Sequence, residues 1–188
     1  MRLFFAAFFP DDVVERALAV RDRLRHEIGS SARWSGREHL HVTLDFLGEQ
    51  TDEAMALAIE AGREIAQRHA PFECALGGLG AFPSVREPRV LWIGILAGFA
   101  PLVALADDLR TTLEPLGFAP EGEHGYHPHL TLARLPGHHE KKVAARILDR
   151  ADPVDVGGAR IDRFALMESR PEGGRHLYVT VADFALGG

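Results

Sequence analysis

Cysteine is almost missing from this chain. Cys74 stands alone among 188 residues, so no intrachain disulfide can form and a four-thiolate zinc site is excluded. Such usage suits a reducing cytoplasm. Long apolar runs are missing as well: none approaches the roughly 18 residues that span a bilayer, so no membrane association is expected. The opening MRLFFAAFFP stops at Pro10 and meets Asp11 and Asp12 instead of a signal cleavage site, so it reads as a buried first strand. Net positive charge is lacking too. At −6 the chain is no general nucleic-acid coat. Lysine is scarce, since nineteen of the twenty-one basic residues are Arg, and a local Arg cluster can still hold a small anionic end-group. No glycine-rich phosphate loop of Walker type occurs, so ATP is not expected, and no His-Glu-x-x-His helix occurs either.

What is present is an order of elements that repeats. After the apolar strand 2–9, Pro10 with Asp11 and Asp12 opens a helix whose stripe is Val13, Ala17, Val20, Leu24 and Ile28, ended by Gly29. A strand-like HLHVTLDFLG follows. Thr51 then caps a second helix with Met55, Ile59, Gly62 and Ile65 along one side. Strand candidates at 72–82 and 89–96 complete the first half. The second half begins at Pro101 with a helix carrying Leu102, Leu105, Leu109 and Leu113. It continues with HPHLTLARL, a helix over 139–151, and strands near 159–168 and 175–185. Each half reads helix, strand, helix, strand, strand. The expected fold is a single α+β domain over residues 1–188, two-lobed and pseudo-twofold. Its halves run from about 10–97 and 101–185, with strand 2–9 added and antiparallel sheets flanking a central cleft.

The two strands in corresponding places share His-x-Thr-Leu: His41-Val42-Thr43-Leu44 and His129-Leu130-Thr131-Leu132. Alternate side chains of a strand share a face. That rule sets His39, His41, Thr43 and Asp45 together, and likewise His127, His129, Thr131 and Ala133, with the Leu and Val between them turned to the core. With ten His and six Thr in the chain, about 0.3 such matches are expected by chance. Two imidazoles across a cleft suit proton transfer in both directions, one accepting from water and the other donating to a leaving oxygen. Thr hydroxyls can hold non-bridging phosphate oxygens, and an Arg can meet the developing charge. This constellation fits metal-free phosphodiester hydrolysis. The residues themselves leave the acid and base roles exchangeable.

The paired tetrads resemble the signatures of the 2H phosphoesterase superfamily. The likeness is strongest to its bacterial and archaeal branch, the RNA 2′,3′-cyclic phosphodiesterases, also called 2′-5′ RNA ligases. It extends over nearly the whole chain, through RLFFAAFFP, HVTLDFLGE, GLGAFPSVREPRVLWIGI, HPHLTLARL and LYVTVADFAL. The resemblance implies a bilobal α+β fold, no metal or cofactor, and opening of terminal RNA 2′,3′-cyclic phosphates to leave a 2′-phosphate. It implies that His41 is the proton donor to the departing 3′ oxygen and His129 the proton acceptor that activates water. Thr43, Thr131 and Arg134 would hold the phosphate. Arg134 lies five residues beyond His129 and reaches the same face only through a strand end or a bulge. The implied partner is RNA with a cyclic end, such as tRNA fragments or short oligonucleotides. Reversible 2′-5′ joining would use the same groups backwards. A cytoplasmic monomer with no obligatory protein partner is expected.

Two other readings use the same residues. A metal-dependent hydrolase could draw on His39, His41, His124, His127 and His129 with Asp45 as carboxylate, but it leaves both Thr idle. A nucleotide-binding module without turnover would use the cleft, but needs no paired acid and base. Arg33 and Arg37, and Arg86, Arg89, Arg170 and Arg175 at the two hairpin turns, read as surface residues. Among the aromatics that could stack on a base, Phe46 and Trp92 read as core, while Trp34 and Tyr126 stay open. Cys74 reads as a small buried residue, and His138 and His139 as a helix-start loop.

Overall fold

The computed structural model describes residues 1–119, 125–173 and 175–187, and His124 and the side chain of Arg175 lie outside the described residues. The elements are β1 (Arg2–Ala7), α1 (Asp11–Ile28), β2 (Arg33–Trp34), β3 (Val42–Glu49), α2 (Asp52–Arg68), β4 (Phe72–Pro83), β5 (Pro88–Ala97), α3 (Phe99–Leu113), β6 (Leu130–Arg134), α4 (His138–Asp149), β7 (Asp155–Ile161), β8 (Arg163–Glu172) and β9 (Arg175–Ala185). All strands pair antiparallel in one curled sheet of order β7-β4-β5-β6-β3-β1-β8-β9, with β2 laid against the end of β6. The α+β class is therefore as expected.

The helix signals act as local chemistry predicts. The Pro10 carbonyl accepts from the amides of Val13 and Val14, with Asp11 and Asp12 in the first turn of α1. The Thr51 hydroxyl accepts from Ala54 N at 3.2 Å and caps α2. The apolar stripes of α1, α2, α3 and α4 pack on one face of the sheet, over Leu3, Phe5, Ala7, Val42, Leu44, Leu76, Ile93, Leu130 and Leu132, to form the main core. The opposite face carries a smaller apolar cluster of Phe4, Ala6, Ala165 and Met167, with Phe8 and Tyr178 beside it. β1 is thus buried on both faces. No described helix is long and apolar enough to cross a membrane.

The halves of the sheet are not the halves of the sequence. One side of the sheet is β7-β4-β5-β6 under α1 and α4, and the other is β3-β1-β8-β9 under α2 and α3. Each strand pair, β4-β5 or β8-β9, therefore lies on the side of the sheet that holds the other half's tetrad. A second departure is at the expected strand 159–168, which is two strands, β7 and β8. Asp162 is where the chain leaves β4 at one side of the sheet for β1 on the other, and its carbonyl is taken by Leu186 N at 2.8 Å.

Helix α2 comes close enough to β9 that a Cβ added at Gly62 would lie 2.6 Å from the Phe184 ring. In an open helix Gly→Ala gains about 1 kcal/mol. Here overpacking outweighs that gain, so Gly62→Ala is expected to lower stability by about 1–3 kcal/mol in urea or thermal unfolding. A variant more stable than wild type would show that α2 is free to retreat.

Candidate active site

The tetrads meet because β3 and β6 are neighbours, joined through the antiparallel pair Val42 and Leu130. Both of these side chains go into the core. Continuing the register one residue each way sets His41 across from Thr131, and Thr43 across from His129, all four on the face away from the helices. Each imidazole thus lies beside the hydroxyl of the other tetrad.

Both strands then break alternation at the same point. In β3, Ala6 pairs with Thr43 and Phe5 with Asp45, so Leu44 is an extra residue. In β6, Trp92 pairs with Thr131 and Leu91 with Ala133, so Leu132 is the extra one. A bulge puts two consecutive side chains on one side and resets the phase. Leu132 and Ala133 both enter the core, and Arg134 emerges exposed on the face of Thr131. This resolves the five-residue offset between His129 and Arg134. By the same shift Phe46, in the corresponding place, emerges beside Phe4 at 46% exposure and is not core. Asp45 is carried the other way, a correction to the alternation rule. It is buried on the helix side, where Arg110 of α3 donates to it at 3.0 Å.

The two imidazoles have different settings. His41 is buried among Phe4, with stacked centroids 5.2 Å apart, Phe8 at 5.8 Å and Tyr178 edge-on at 5.5 Å. Its Nδ1 is buried without a hydrogen-bond partner among the described residues. Burial, and the nearby His39 and His129 charges, bring its pKa down from 6.5 to about 4. His129 is boxed by Phe82 at 4.9 Å and Trp92 at 6.0 Å. Its Nδ1 lies 2.7 Å from the carbonyl oxygen of His127. A carbonyl only accepts, so the proton is on Nδ1 and the lone pair of the neutral ring is on Nε2. Burial holds His129 below its ordinary pKa, and the charges of His127 and Arg134 add to this, against the His127 hydrogen bond.

The remaining sequence candidates separate clearly. His39 lies in a short 3-10 turn before β3, where its Nε2 donates to the His176 carbonyl at 2.9 Å and its Nδ1 faces Glu38 at 3.0 Å. His127 is exposed and packs on Trp92 at 5.0 Å. Among the described residues, no group of three or more His, Cys, Asp or Glu could hold a metal ion. Tyr126 is turned away from base stacking: its hydroxyl donates to the Thr43 carbonyl at 3.0 Å and its ring packs on the main core, tying the segment before His129 to β3. Trp34 donates from its indole to Gly29 O at 2.9 Å. Arg37 is held by Asp11 at 3.0 Å and by Glu15. Arg170 is held by Glu168, and Cys74 is buried. Sequence reasoning missed Phe4, Phe8, Phe82 and Tyr178 as the walls of the site. Only Phe4 lies on a strand that neighbours a tetrad strand, whereas Phe8 follows the end of β1 and Phe82 and Tyr178 reach the site from β4 and β9, so nothing local in the sequence marks them.

A curled antiparallel sheet with two His-x-Thr-Leu strands side by side is the architecture of a 2H phosphoesterase. The chain matches the 2′-5′ RNA ligase superfamily over residues 9–173 and belongs to it. It is 30% identical over 186 residues to the RNA 2′,3′-cyclic phosphodiesterase of Aquifex aeolicus, covering 98% of this chain and 97% of that one. To the Aeropyrum pernix protein of the same name it is 34% identical over 158 residues, 84% of this chain and 87% of the other. Among solved structures, TT0787 of Thermus thermophilus is 30% identical at TM-score 0.84, covering 100% of this chain and 99% of its own. Escherichia coli LigT complexed with 3′-AMP is 25% identical at TM-score 0.78, over 100% of this chain and 98% of that one.

Keeping His41 neutral inside the fold has a stability cost. The unfolded chain takes up its proton near pH 6.5, whereas the folded site resists until about pH 4, so stability falls as pH drops through that window. The full shift corresponds to about 3 kcal/mol. His41→Leu is expected to lose that much of the acid-side decline between pH 7 and pH 4, read as urea midpoints at the two pH values. An unchanged decline would place the acid sensitivity elsewhere.

Proposed function

We propose that this protein is an RNA 2′,3′-cyclic phosphodiesterase that opens terminal cyclic phosphates to 2′-phosphomonoesters by general acid–base catalysis with His41 and His129, without a metal. The observation that carries this reading is the asymmetry of the two imidazoles on one sheet face. The His129 Nδ1 proton is committed to the His127 carbonyl, which leaves Nε2 as the acceptor. That is the form a general base needs. Water gives its proton to His129 Nε2 while its oxygen bonds to phosphorus. The bond from phosphorus to the 3′ oxygen breaks, and His41 supplies the proton that oxygen needs to leave. The Thr43 and Thr131 hydroxyls and Arg134 hold the non-bridging oxygens, where charge builds up.

His41, with a pKa of about 4, is deprotonated near neutrality before substrate binds. The bound phosphate brings a negative charge beside it and raises that value, so substrate binding and proton uptake are coupled. The acid is charged when there is a phosphate to use it. With the 5′-hydroxyl of a second RNA in place of water, the same groups would break the bond from phosphorus to the 3′ oxygen and leave a 2′-5′ phosphodiester, the ligation for which the family is named. The reverse step would restore the cyclic end and release the 5′-hydroxyl. The metal reading finds no support in Asp45, paired with Arg110, or in His39, engaged with His176 and Glu38. The relatives' names support RNA as the substrate. We further propose a cytoplasmic monomer that works without a protein partner.

The test is turnover of a short RNA with a 2′,3′-cyclic end across pH. The profile of kcat/KM is expected to be bell-shaped with its maximum below pH 6.5, between the lowered values of the two His. The maximum of kcat is expected at higher pH, because it reports the phosphate-bound site. His41→Ala and His129→Ala should each cost about 10² to 10⁴ in kcat. A monotonic profile, or either variant turning over at the wild-type rate, would remove the two-His mechanism.

A further inference from the structure

A cluster of unpaired positive charge is found away from the imidazoles. A groove of about 950 Å³ runs between the β4–β5 turn and the exposed side of α4. Arg86 and Arg89 line it from the turn, and Lys141, Lys142 and Arg146 from the helix. The acids in its lining are Glu87 and Asp149. Both lysines of the chain are here, in a protein of net charge −6.

Folding does not account for these five cations. Among the described residues none of them is in an ion pair or side-chain hydrogen bond, whereas Arg16, Arg21, Arg37, Arg68, Arg110 and Arg150 each have carboxylate partners. Lys141 and Lys142 follow the N-terminus of α4, where the helix dipole favours acids and disfavours cations. Five like charges held together without an ion pair, and outnumbering the two acids of the lining, suit an external polyanion.

The groove lies close to the end of the strand that carries Arg134. Arg134 is the last residue of β6, and His138, which lines the groove, is four residues on, no more than about 14 Å along an extended chain. Arg89 accepts from Leu135 N through its carbonyl at 2.8 Å, so the turn and the end of β6 are locked together. From His138 to Arg146 the helix presents its cations over about 12 Å. On the cross-strand pair Arg33–Arg134, two more guanidinium residues stand side by side at the same end of the sheet.

We propose that this groove binds the phosphodiester backbone of the RNA upstream of its cyclic end, as a second, sequence-independent site. The inference rests on the RNA phosphodiesterase reading above. The terminal phosphate is held at Arg134 and the strand continues over the end of β5 and β6 onto α4. Binding of a chain, and not only of its last nucleotide, then separates long substrates from mononucleotides.

The variant Lys141→Gln/Lys142→Gln/Arg146→Gln keeps helix propensity and touches none of the groups that hold the reacting phosphate. On a single-stranded RNA of about ten nucleotides ending in a 2′,3′-cyclic phosphate, its KM should rise tenfold or more with kcat unchanged. The slope of log affinity against log salt should become shallower by about 2, for three lost phosphate contacts at about 0.7 each. On cytidine 2′,3′-cyclic phosphate, kcat/KM should stay within about twofold, since a mononucleotide has no upstream phosphates to lose. Equal KM for the RNA in wild type and variant, or an equal loss on the mononucleotide, overturns the groove. Anisotropy of a fluorescein-labelled RNA with a 2′-phosphate end separates the two readings. If wild type turns over neither substrate, the catalytic reading fails, and weaker binding by the variant still upholds the groove while unchanged binding refutes it.

Discussion

The backbone pairing of Val42 with Leu130 is what the site depends on. It is short, and it joins the two halves of the sheet at the place where both tetrads begin. Because the paired side chains are both core residues, the hydrophobic effect fixes the register. A slip of one residue in either strand would turn its core residue, Val42 or Leu130, away from the core and its imidazole into it. Each His then lies across from the other tetrad's Thr. The bulges at Leu44 and Leu132 act on this frame, giving each tetrad two consecutive side chains in the core and a third-residue return to the site face. Arg134 and Phe46 are the two residues so returned, one cationic and one aromatic, at pseudo-equivalent places.

The architecture is near symmetric and the chemistry is not. His41 is enclosed by Phe4, Phe8 and Tyr178 with its Nδ1 unpartnered, while His129 gives its Nδ1 proton to a backbone carbonyl. A low-dielectric wall around each ring disfavours its charged form, so the protein by itself favours two neutral imidazoles. The proposed reaction needs one of them charged, and the phosphate itself supplies the field that makes this favourable. Stability given up at His41 is thereby turned into a pKa that answers to substrate.

Much of this was legible in the sequence, for identifiable reasons. The His-x-Thr-Leu repeat is a local pattern, and its core-facing Val42, Leu44, Leu130 and Leu132 carry the hydrophobic signal. Pro10, Asp11, Asp12 and Thr51 mark helix starts by chemistry that acts within a few residues. The bulges are not legible, because an extra residue shows itself only against the partner strand. Strict alternation therefore sets Asp45 beside Thr43, whereas the fold pairs it with Arg110. The exchange of strand pairs between the two sides of the sheet is equally silent, being a matter of which edges meet. Tyr126 illustrates the same limit, since an aromatic near a site can face a ligand or anchor the backbone. Here its hydroxyl bonds to Thr43 O.

The groove on α4 would carry recognition from the reacting phosphate to the chain behind it. In an acidic protein, five cations without carboxylate partners gathered along one groove are the feature that suits a polyanion. The central claim, however, is the reaction, and its product decides it. The measurement is phosphorus NMR of an RNA ending in a 2′,3′-cyclic phosphate after incubation with the protein in excess EDTA. A single 2′-phosphomonoester is the expected product. A 3′-phosphate, or an intact cyclic end that opens only when a divalent metal is restored, would contradict the two-His reaction.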